Sequence, residues 1–173
     1  MKKNIELVML GDSITARGDW KKLLENDFII NLGIDGDNTL GVLNRVNRAI
    51  ELEPKLICLM IGINDLCLSV PLEKIFENYK NILEKILQKD IKVIVQSILI
   101  TQMPAVNKKV NSLNNMIKEY CEIKNIEMID FNSVFSNEKG LLREDLTTDG
   151  LHLGEKAYKV WAYKLKNSIS QTI

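Results

Sequence analysis

Three residues in this chain have the side chains that nucleophilic catalysis requires. Ser13 follows an apolar run, and His152 is the only histidine among 173 residues. Asp149 precedes the histidine by three positions, with a glycine between them. A carboxylate at this spacing can fold back onto the Nδ1–H of the imidazole, which fixes the tautomer and leaves Nε2 free to accept a proton from a serine.

Each of these residues also has a purely structural interpretation. Ser13 could cap the helix that follows it, because serine favours helix N-termini and turns. His152 could be a surface residue at the start of a helix, where an early aspartate is favoured by the helix dipole. Asp145 and Asp130 compete with Asp149 for the role of orienting the histidine, and Asp149 is favoured by its reach.

Composition argues against several functional classes. Lysine and arginine together number 23, and so do aspartate and glutamate, so no basic field is present to bind nucleic acid or anionic membranes. The three cysteines form no CxxC pair and lie far in sequence from the histidine, which predicts neither a zinc site nor a disulfide framework. We therefore expect no metal and no nucleic-acid partner.

No apolar stretch approaches the length of a membrane span, so no stable membrane insertion is expected. The chain starts with MKKN, like the basic end of a signal peptide, but the apolar run behind it is short and contains Glu6. No small-residue cleavage site follows. These features predict a cytoplasmic protein.

Short apolar runs alternate along the chain with segments of helical period. The runs predict strands at 5–10, 28–32, 56–61, 93–98 and 126–129, and most are continuous, as is typical of strands buried on both faces. The helical periods predict helices at 17–25, 39–52, 72–89, 105–124 and 154–170. This alternation predicts one α/β domain over residues 1–173, with a five-stranded parallel sheet covered by helices on both faces.

The loops at the carboxyl ends of parallel strands are where such sheets bind ligands. These loops hold Ser13, the glycines Gly33 and Gly36, Asn64, and the Asp149–His152 pair. The glycines are typical of turns with positive φ, and a phosphate-binding loop is a weaker alternative because no GxGxxG or GxxxxGK[ST] pattern occurs there. Asn64 has no evident capping task, since the predicted helix begins well downstream.

Four segments, in order, resemble the sequence blocks of the SGNH hydrolases, also called the GDSL lipase/esterase family. They are LGDSIT, NLGIDGDNTLGVLNRV, IGIND and DGLHL. The shorter esterases of the platelet-activating-factor acetylhydrolase and acyl-CoA thioesterase I type look most similar. The chain departs from the family at Asp35, where relatives often have a small residue, and at Asn38, where threonine often follows the Gly-Asp pair directly.

The resemblance implies a flavodoxin-like three-layer α/β/α sandwich with Ser13 as nucleophile and Asp149 and His152 as its base pair. It also implies an oxyanion hole formed by the backbone amides of Ser13 and Gly36 and the side chain of Asn64. The expected activity is hydrolysis of acyl or acetyl esters of small molecules through an acyl-enzyme, with no cofactor.

Two questions stay open at the level of sequence. Leu66, Leu68 and Ile100 could line an acyl pocket, or they could pack between loop and core. The alternative function is a flavodoxin-like phosphate- or flavin-binding module without hydrolase activity. A non-catalytic interaction domain gives no reason for these polar groups to gather at one sheet edge.

Overall fold

Five parallel strands form a sheet in the order β2-β1-β3-β4-β5. The computed structural model describes residues 5–172, so the MKKN segment and the last residue lie outside the described part. The strands are β1 (Leu7–Gly11), β2 (Ile29–Gly33), β3 (Leu56–Met60), β4 (Lys92–Gln96) and β5 (Glu127–Ile129). This strand order is that of flavodoxin-like sheets, which confirms the predicted fold class.

The central strands are buried because helices cover both faces of the sheet. Every residue of β1 and β3 is buried, which explains why their sequences are continuous rather than alternating. In the register, Gly11 at the end of β1 pairs with Gly33 of β2 and Met60 of β3. The three strands therefore end at one level, and the loops that follow them start side by side.

Eight α-helices and one 3₁₀ turn occur among the described residues. The helices are α1 (Ser13–Ala16), α2 (Trp20–Leu24), α3 (Thr39–Ile50), α4 (Ile63–Cys67), α5 (Leu72–Leu87), α6 (Pro104–Lys124), α7 (Asn132–Phe135) and α8 (Glu155–Thr172), and the 3₁₀ turn is Glu144–Leu146. None of them is long and apolar enough to cross a membrane. The location of the protein in the cell stays a prediction.

Two local predictions differ from the structure. The helix predicted over 17–25 corresponds to α2, but it begins at Trp20 rather than at Arg17, because residues 17–19 separate α1 from α2. At this break the chain passes closely over Trp20, and a Cβ on Gly18 would lie 2.5 Å from the indole ring. In addition, the segment after β3 is not a loop but the short helix α4, which holds Asn64 in its first turn.

An aromatic cluster joins the helices on one face of the sheet. Trp20 and Trp161 are both fully buried, with ring centroids 4.8 Å apart in an edge-to-face arrangement. The indole N–H of Trp161 donates to Gln96 Oε1 at 2.6 Å, and that of Trp20 donates to the Thr15 carbonyl at 2.7 Å. The cluster therefore ties α8 to the end of β4 and α2 to the short helix that carries Ser13.

Candidate active site

Ser13 is the first residue of α1 and does not serve as its cap. Asp12 occupies the N-cap position, where its carboxylate accepts a hydrogen bond from the Ile14 amide at 2.9 Å. Ser13 is buried but for 6% of its surface. Because Asp12 performs the capping, the Ser13 hydroxyl is available for another contact.

That contact is with the histidine. Ser13 Oγ lies 3.1 Å from His152 Nε2, although 139 positions separate the two residues in sequence. On the other side of the ring, His152 Nδ1 lies 2.7 Å from Asp149 Oδ2. The three side chains thus form a hydrogen-bonded chain in the order that the prediction of a nucleophile, a base and an orienting acid requires.

A tight turn holds Asp149 against the histidine. Its Oδ1 accepts hydrogen bonds from the amides of Leu151 at 3.0 Å and His152 at 2.7 Å. Gly150 has φ +88°, a conformation that side chains rarely adopt, so a glycine is required here. The hydrogen bond with the His152 side chain, followed by the two amides, lowers the pKa of Asp149 to about 2.

The competing aspartates have other partners. Asp145 binds the guanidinium of Arg143 and the ammonium of Lys156. Asp130 accepts a hydrogen bond from the Asn132 amide at 2.9 Å. The structure therefore places Asp149, rather than Asp145 or Asp130, on the histidine.

Thr147 stabilises the turn of Asp149 and His152 through two hydrogen bonds, and sequence reasoning did not identify it. Its hydroxyl donates to the His152 carbonyl at 2.6 Å and accepts from the Gly150 amide at 2.9 Å. The Thr148 amide donates to the same carbonyl at 3.0 Å. The only sequence signal is the pair of threonines directly before the Asp-Gly turn.

The three predicted oxyanion donors lie on the segments that directly follow β1, β2 and β3. The Ser13 amide is in the first turn of α1, where amides have no partner within the helix. Gly36 is exposed at φ +74°, and within the described residues no protein group accepts a hydrogen bond from its amide. Asn64 donates one N–H to the Asp37 carbonyl at 2.8 Å, which leaves its second N–H free to bind a ligand.

Arg45 connects the ends of β1 and β2 with the loop after β2, and sequence reasoning did not identify it. Its guanidinium donates to Asp37 Oδ2 at 2.7 Å, the Leu32 carbonyl at 2.8 Å and the Gly11 carbonyl at 2.9 Å. The side chains of Arg45 and Asp37 are each only 12% exposed. Arg45 therefore joins the ends of β1 and β2 to the loop that carries Gly36 and receives Asn64.

A buried polar network holds α4 in place beside this loop. The Asp65 carboxylate accepts from the Thr39 amide at 2.9 Å and the Thr39 hydroxyl at 2.8 Å, and Asn78 Nδ2 donates to that hydroxyl at 3.0 Å. Burial raises the pKa of Asp65. Because Asp65 directly follows Asn64, the network fixes the asparagine against the start of α3.

Asp12 is a buried carboxyl group directly before the nucleophile. Its pKa is raised to about 7, mainly by burial and to a lesser extent by the nearby Asp37 charge, while the Ile14 amide and His152 oppose the shift. This aspartate therefore changes its charge near neutral pH, at a position one residue from Ser13.

The predicted pocket residues have different environments. Leu66 and Ile100 are only 1% and 3% exposed and belong to the hydrophobic core, as the packing alternative expects. Leu68 is 73% exposed. Of the three, Leu68 alone has substantial surface available for a substrate. Within residues 5–172, no group of three or more His, Cys, Asp or Glu side chains is arranged to hold a metal ion.

Comparison with known protein families shows which family this chain belongs to. A model of the GDSL-like lipase/acylhydrolase family matches residues 9–160. The chain belongs to this family. The matched range includes every residue of the hydrogen-bonded chain and of the predicted oxyanion hole, and the family membership disfavours the flavin-binding alternative.

Solved structures of GDSL proteins have the same fold. A GDSL-like lipase from Bacteroides thetaiotaomicron superimposes with a TM-score of 0.89 and 24% identity, over 100% of this chain and 91% of that one. A lipase/acylhydrolase from Enterococcus faecalis superimposes with a TM-score of 0.80 and 22% identity, over 96% of this chain and 95% of the other. At this level of identity the superpositions show the fold alone.

Curated relatives are similar over a shorter segment. N-acylneuraminate cytidylyltransferases of Streptococcus agalactiae are 30% identical over 99 residues, which is 56% of this chain. The match spans about a quarter (24%) of the length of those relatives.

Proposed function

We propose that this GDSL-family hydrolase cleaves acyl or acetyl esters of small molecules through an acyl-enzyme on Ser13. The observation that carries the proposal is the continuous hydrogen-bonded chain from Ser13 through His152 to Asp149. Asp12 caps the helix, so the Ser13 hydroxyl is free to bind the oriented imidazole of His152. This is the arrangement of an activated nucleophile.

In the first step, His152 Nε2 accepts the Ser13 proton while Oγ attacks the ester carbonyl carbon. The tetrahedral intermediate then expels the alcohol, which takes the proton from the imidazolium, and the acyl-enzyme remains. In the second step, His152 deprotonates a water molecule that attacks the acyl-enzyme, and the carboxylic acid leaves as Ser13 recovers its proton. Asp149 stabilises the imidazolium in both steps and keeps Nε2 in the accepting tautomer.

The oxyanion of each tetrahedral intermediate is assigned to the Ser13 and Gly36 amides and the free N–H of Asn64. Donors of this kind act where negative charge develops, and each contributes about 3–4 kcal/mol to lowering the barrier. The bond from Asn64 to the Asp37 carbonyl supports this assignment, because it orients the carboxamide before substrate arrives.

The experiment that tests the proposal measures initial hydrolysis rates on p-nitrophenyl esters from acetyl to dodecanoyl. Ser13→Ala and His152→Ala are expected to lower kcat by about four orders of magnitude or more, since each removes a partner of the reacting hydroxyl. Ser112→Ala, on the exposed face of α6, is the matched control and should leave the rates unchanged. Substantial activity in a folded Ser13→Ala variant would exclude Ser13 as the nucleophile.

The curated relatives favour a carbohydrate as the carrier of the ester. Their name refers to N-acylneuraminate, an acylated sugar, and the match covers more than half of this chain. We therefore propose acetylated sugars as the first natural substrates to test, by measuring released acetate. Two results together would argue for lipid substrates instead. Acetate would be released from acetylated sugars no faster than from a simple acetyl ester, and the p-nitrophenyl esters would be hydrolysed fastest at long acyl chains.

A further inference from the structure

The proposed nucleophile lies on a helix of a single turn, which leaves one buried carbonyl without a helical partner. The Arg17 amide donates to the Ser13 carbonyl at 3.1 Å. The next amide, that of Gly18, donates to the Thr15 carbonyl at 3.3 Å and so passes over the carbonyl of Ile14. Because Ile14 is only 2% exposed, its carbonyl needs a hydrogen-bond donor from another element.

Tyr158 of α8 supplies that donor. Its hydroxyl donates to the Ile14 carbonyl at 2.6 Å, although 144 positions separate the two residues. The tyrosine ring is stacked on Trp161 and meets Trp20 edge-on, each with ring centroids 5.9 Å apart. Burial raises the pKa of the Tyr158 hydroxyl, so the group keeps its proton and remains a donor near neutral pH.

Both backbone groups of Ile14 are thus held by side chains from opposite sides. The amide donates to Asp12 Oδ1 at 2.9 Å, and the carbonyl accepts from Tyr158. Ile14 directly follows Ser13, and Tyr158 lies in the first turn of α8, which begins three residues after His152. The residue next to the nucleophile is therefore fixed between the end of β1 and the helix that follows the base.

Within the part of the chain that the structure describes, two hydrogen bonds join α1 to residues 149–172. One links Ser13 to His152, and the other links Ile14 to Tyr158. The first is the contact through which the proton would move, so it changes during catalysis. The second takes no part in the chemistry, and it can keep the two segments at a constant distance.

The distance between the two segments has little tolerance. Proton transfer requires heavy atoms about 2.6–3.2 Å apart, and Ser13 Oγ lies 3.1 Å from His152 Nε2, near the upper end of this range. A displacement of about 1 Å can slow an enzyme about a hundredfold. Even a small movement of α1 away from α8 should therefore reduce the rate.

We propose that Tyr158 is a positioning residue, which holds Ser13 at proton-transfer distance from His152 by binding the Ile14 carbonyl. The inference rests on the proposed ester hydrolysis. The Tyr158 hydroxyl is bound to a backbone carbonyl and does not itself react. Its removal should therefore slow the steps in which the serine and the histidine exchange a proton, and it should leave substrate binding unchanged.

Tyr158→Phe tests this role, because it removes the hydroxyl and keeps the ring that packs against Trp20 and Trp161. We expect kcat on p-nitrophenyl acetate to fall about tenfold, with KM changed by less than about twofold. Tyr120→Phe on α6 is the matched control, since it also removes a hydroxyl that donates to a side chain, Glu84 Oε1 at 3.1 Å. The control should behave as wild type.

Reaction with diethyl p-nitrophenyl phosphate isolates the nucleophilic step. Ser13 Oγ bonds to phosphorus, p-nitrophenolate leaves with the electrons of its P–O bond, and His152 takes the serine proton. The diethyl phosphate stays on the serine, so the release of a single equivalent of p-nitrophenolate reports this step alone. In Tyr158→Phe the maximal rate constant should fall about tenfold, while the concentration that gives half the maximal rate should stay unchanged.

Two analogues of the tyrosine separate the hydrogen bond from the filling of space. Tyr158→4-aminophenylalanine places an N–H donor at the same ring position, and we expect it to recover most of the lost rate. Tyr158→4-fluorophenylalanine fills the same position without a donor, and it should remain as slow as Tyr158→Phe. A loss of packing or of stability alone would not divide the two analogues in this way.

The outcomes distinguish this inference from the proposed function. Unchanged rates in Tyr158→Phe, a change confined to KM, an equal loss in Tyr120→Phe, or equal rates in the two analogues would each overturn the positioning role while ester hydrolysis stands. Failure of wild type to hydrolyse p-nitrophenyl esters overturns the proposed function and the inference with it.

Discussion

Asp149 is half-exposed, with 51% of its side chain accessible, whereas the imidazole that it binds is 19% exposed. An aspartate in contact with solvent contributes less to stabilising an imidazolium than a fully buried one, because water screens its charge. Its second contribution, fixing the tautomer, does not depend on burial. At the scale of single residues, we therefore expect Asp149 to act chiefly through the proton that it holds on Nδ1.

Asp149→Asn tests this role. The asparagine oxygen can still accept from the Leu151 and His152 amides, so its N–H would point toward Nδ1 and favour the tautomer with a proton on Nε2. That tautomer cannot accept the Ser13 proton, and we expect kcat to fall by up to about ten-thousandfold with little change in stability. Steady-state kinetics beside thermal unfolding would measure both, and an unchanged kcat would remove Asp149 from the mechanism.

The buried carboxyl group of Asp12 makes the stability of the protein depend on pH. In the unfolded chain an aspartate loses its proton near pH 4, but in the folded protein the pKa of Asp12 is about 7. Between these values the folded state holds a proton that the unfolded state has lost, so this group makes stability fall as pH rises from about 4 to about 7. Above pH 7 its contribution is constant.

Asp12→Asn should remove this dependence while keeping the acceptor for the Ile14 amide. We expect the variant to gain stability relative to wild type between pH 4.5 and pH 8, by up to about 4 kcal/mol. Urea unfolding at the two pH values measures the gain, and Asp27→Asn at an exposed position is the control. If the difference in unfolding free energy between Asp12→Asn and wild type were the same at pH 4.5 and pH 8, the pKa of Asp12 would not be raised.

At the scale of elements, the candidate site depends on how three loops are joined. Strand register brings the ends of β1, β2 and β3 to one level, but the loops beyond them need separate contacts. Arg45 provides these contacts from α3 by binding one side chain and two strand-end carbonyls. The glycine at position 41 is part of the same arrangement, because a Cβ there would lie 1.8 Å from Asp37 Oδ1.

Arg45→Met should therefore impair catalysis more than binding. Without the guanidinium, Asp37 loses its ion pair and the loop carrying Gly36 is free to shift, so we expect kcat to fall about tenfold to a hundredfold with KM changed little. Arg45→Lys retains one ion pair and should give a smaller loss. Arg48→Met, on the same helix but exposed, serves as the control in steady-state kinetics. A kcat unaffected by Arg45→Met would show that the loops hold their positions unaided.

At the scale of the whole molecule, α8 links the base to the core. The helix begins three residues after His152, and its Trp161 packs against Trp20, Tyr158 and Phe131 while it donates to Gln96. The position of the histidine thus depends on aromatic packing that is anchored at the carboxyl end of β4.

Trp161→Ala should lower the free energy of unfolding by about 3–5 kcal/mol, because it leaves a large cavity and an unpaired Gln96 oxygen. Tyr163→Ala lies on the same helix with the tyrosine 74% exposed and should change stability by no more than about 0.5 kcal/mol. Urea unfolding followed by far-ultraviolet circular dichroism measures both variants. A loss below 1 kcal/mol in Trp161→Ala would mean that the cluster repacks around the gap.

Much of the fold and part of the site could be predicted because they depend on neighbouring residues. Buried strands were identified from continuous apolar runs, long helices from their period, and the Asp149–His152 pair from a spacing of three residues around a glycine. The later start of the helix predicted at 17–25 escaped prediction because it is accompanied by a close approach of the chain to Trp20 rather than by a break in the apolar pattern.

By itself the sequence determined the fold class, the order of the four blocks and the residue types able to react, since hydrophobic pattern and local spacing are properties of short segments. Only the tertiary structure decided that Ser13 meets His152 across 139 positions, that Asp145 and Asp130 are engaged elsewhere, and that Arg45 joins the ends of β1 and β2 to the loop that carries Gly36. Such contacts depend on strand register and on how helices pack over the sheet. Strand register and helix packing are set when the whole chain folds, so they cannot be read from any short segment of the sequence.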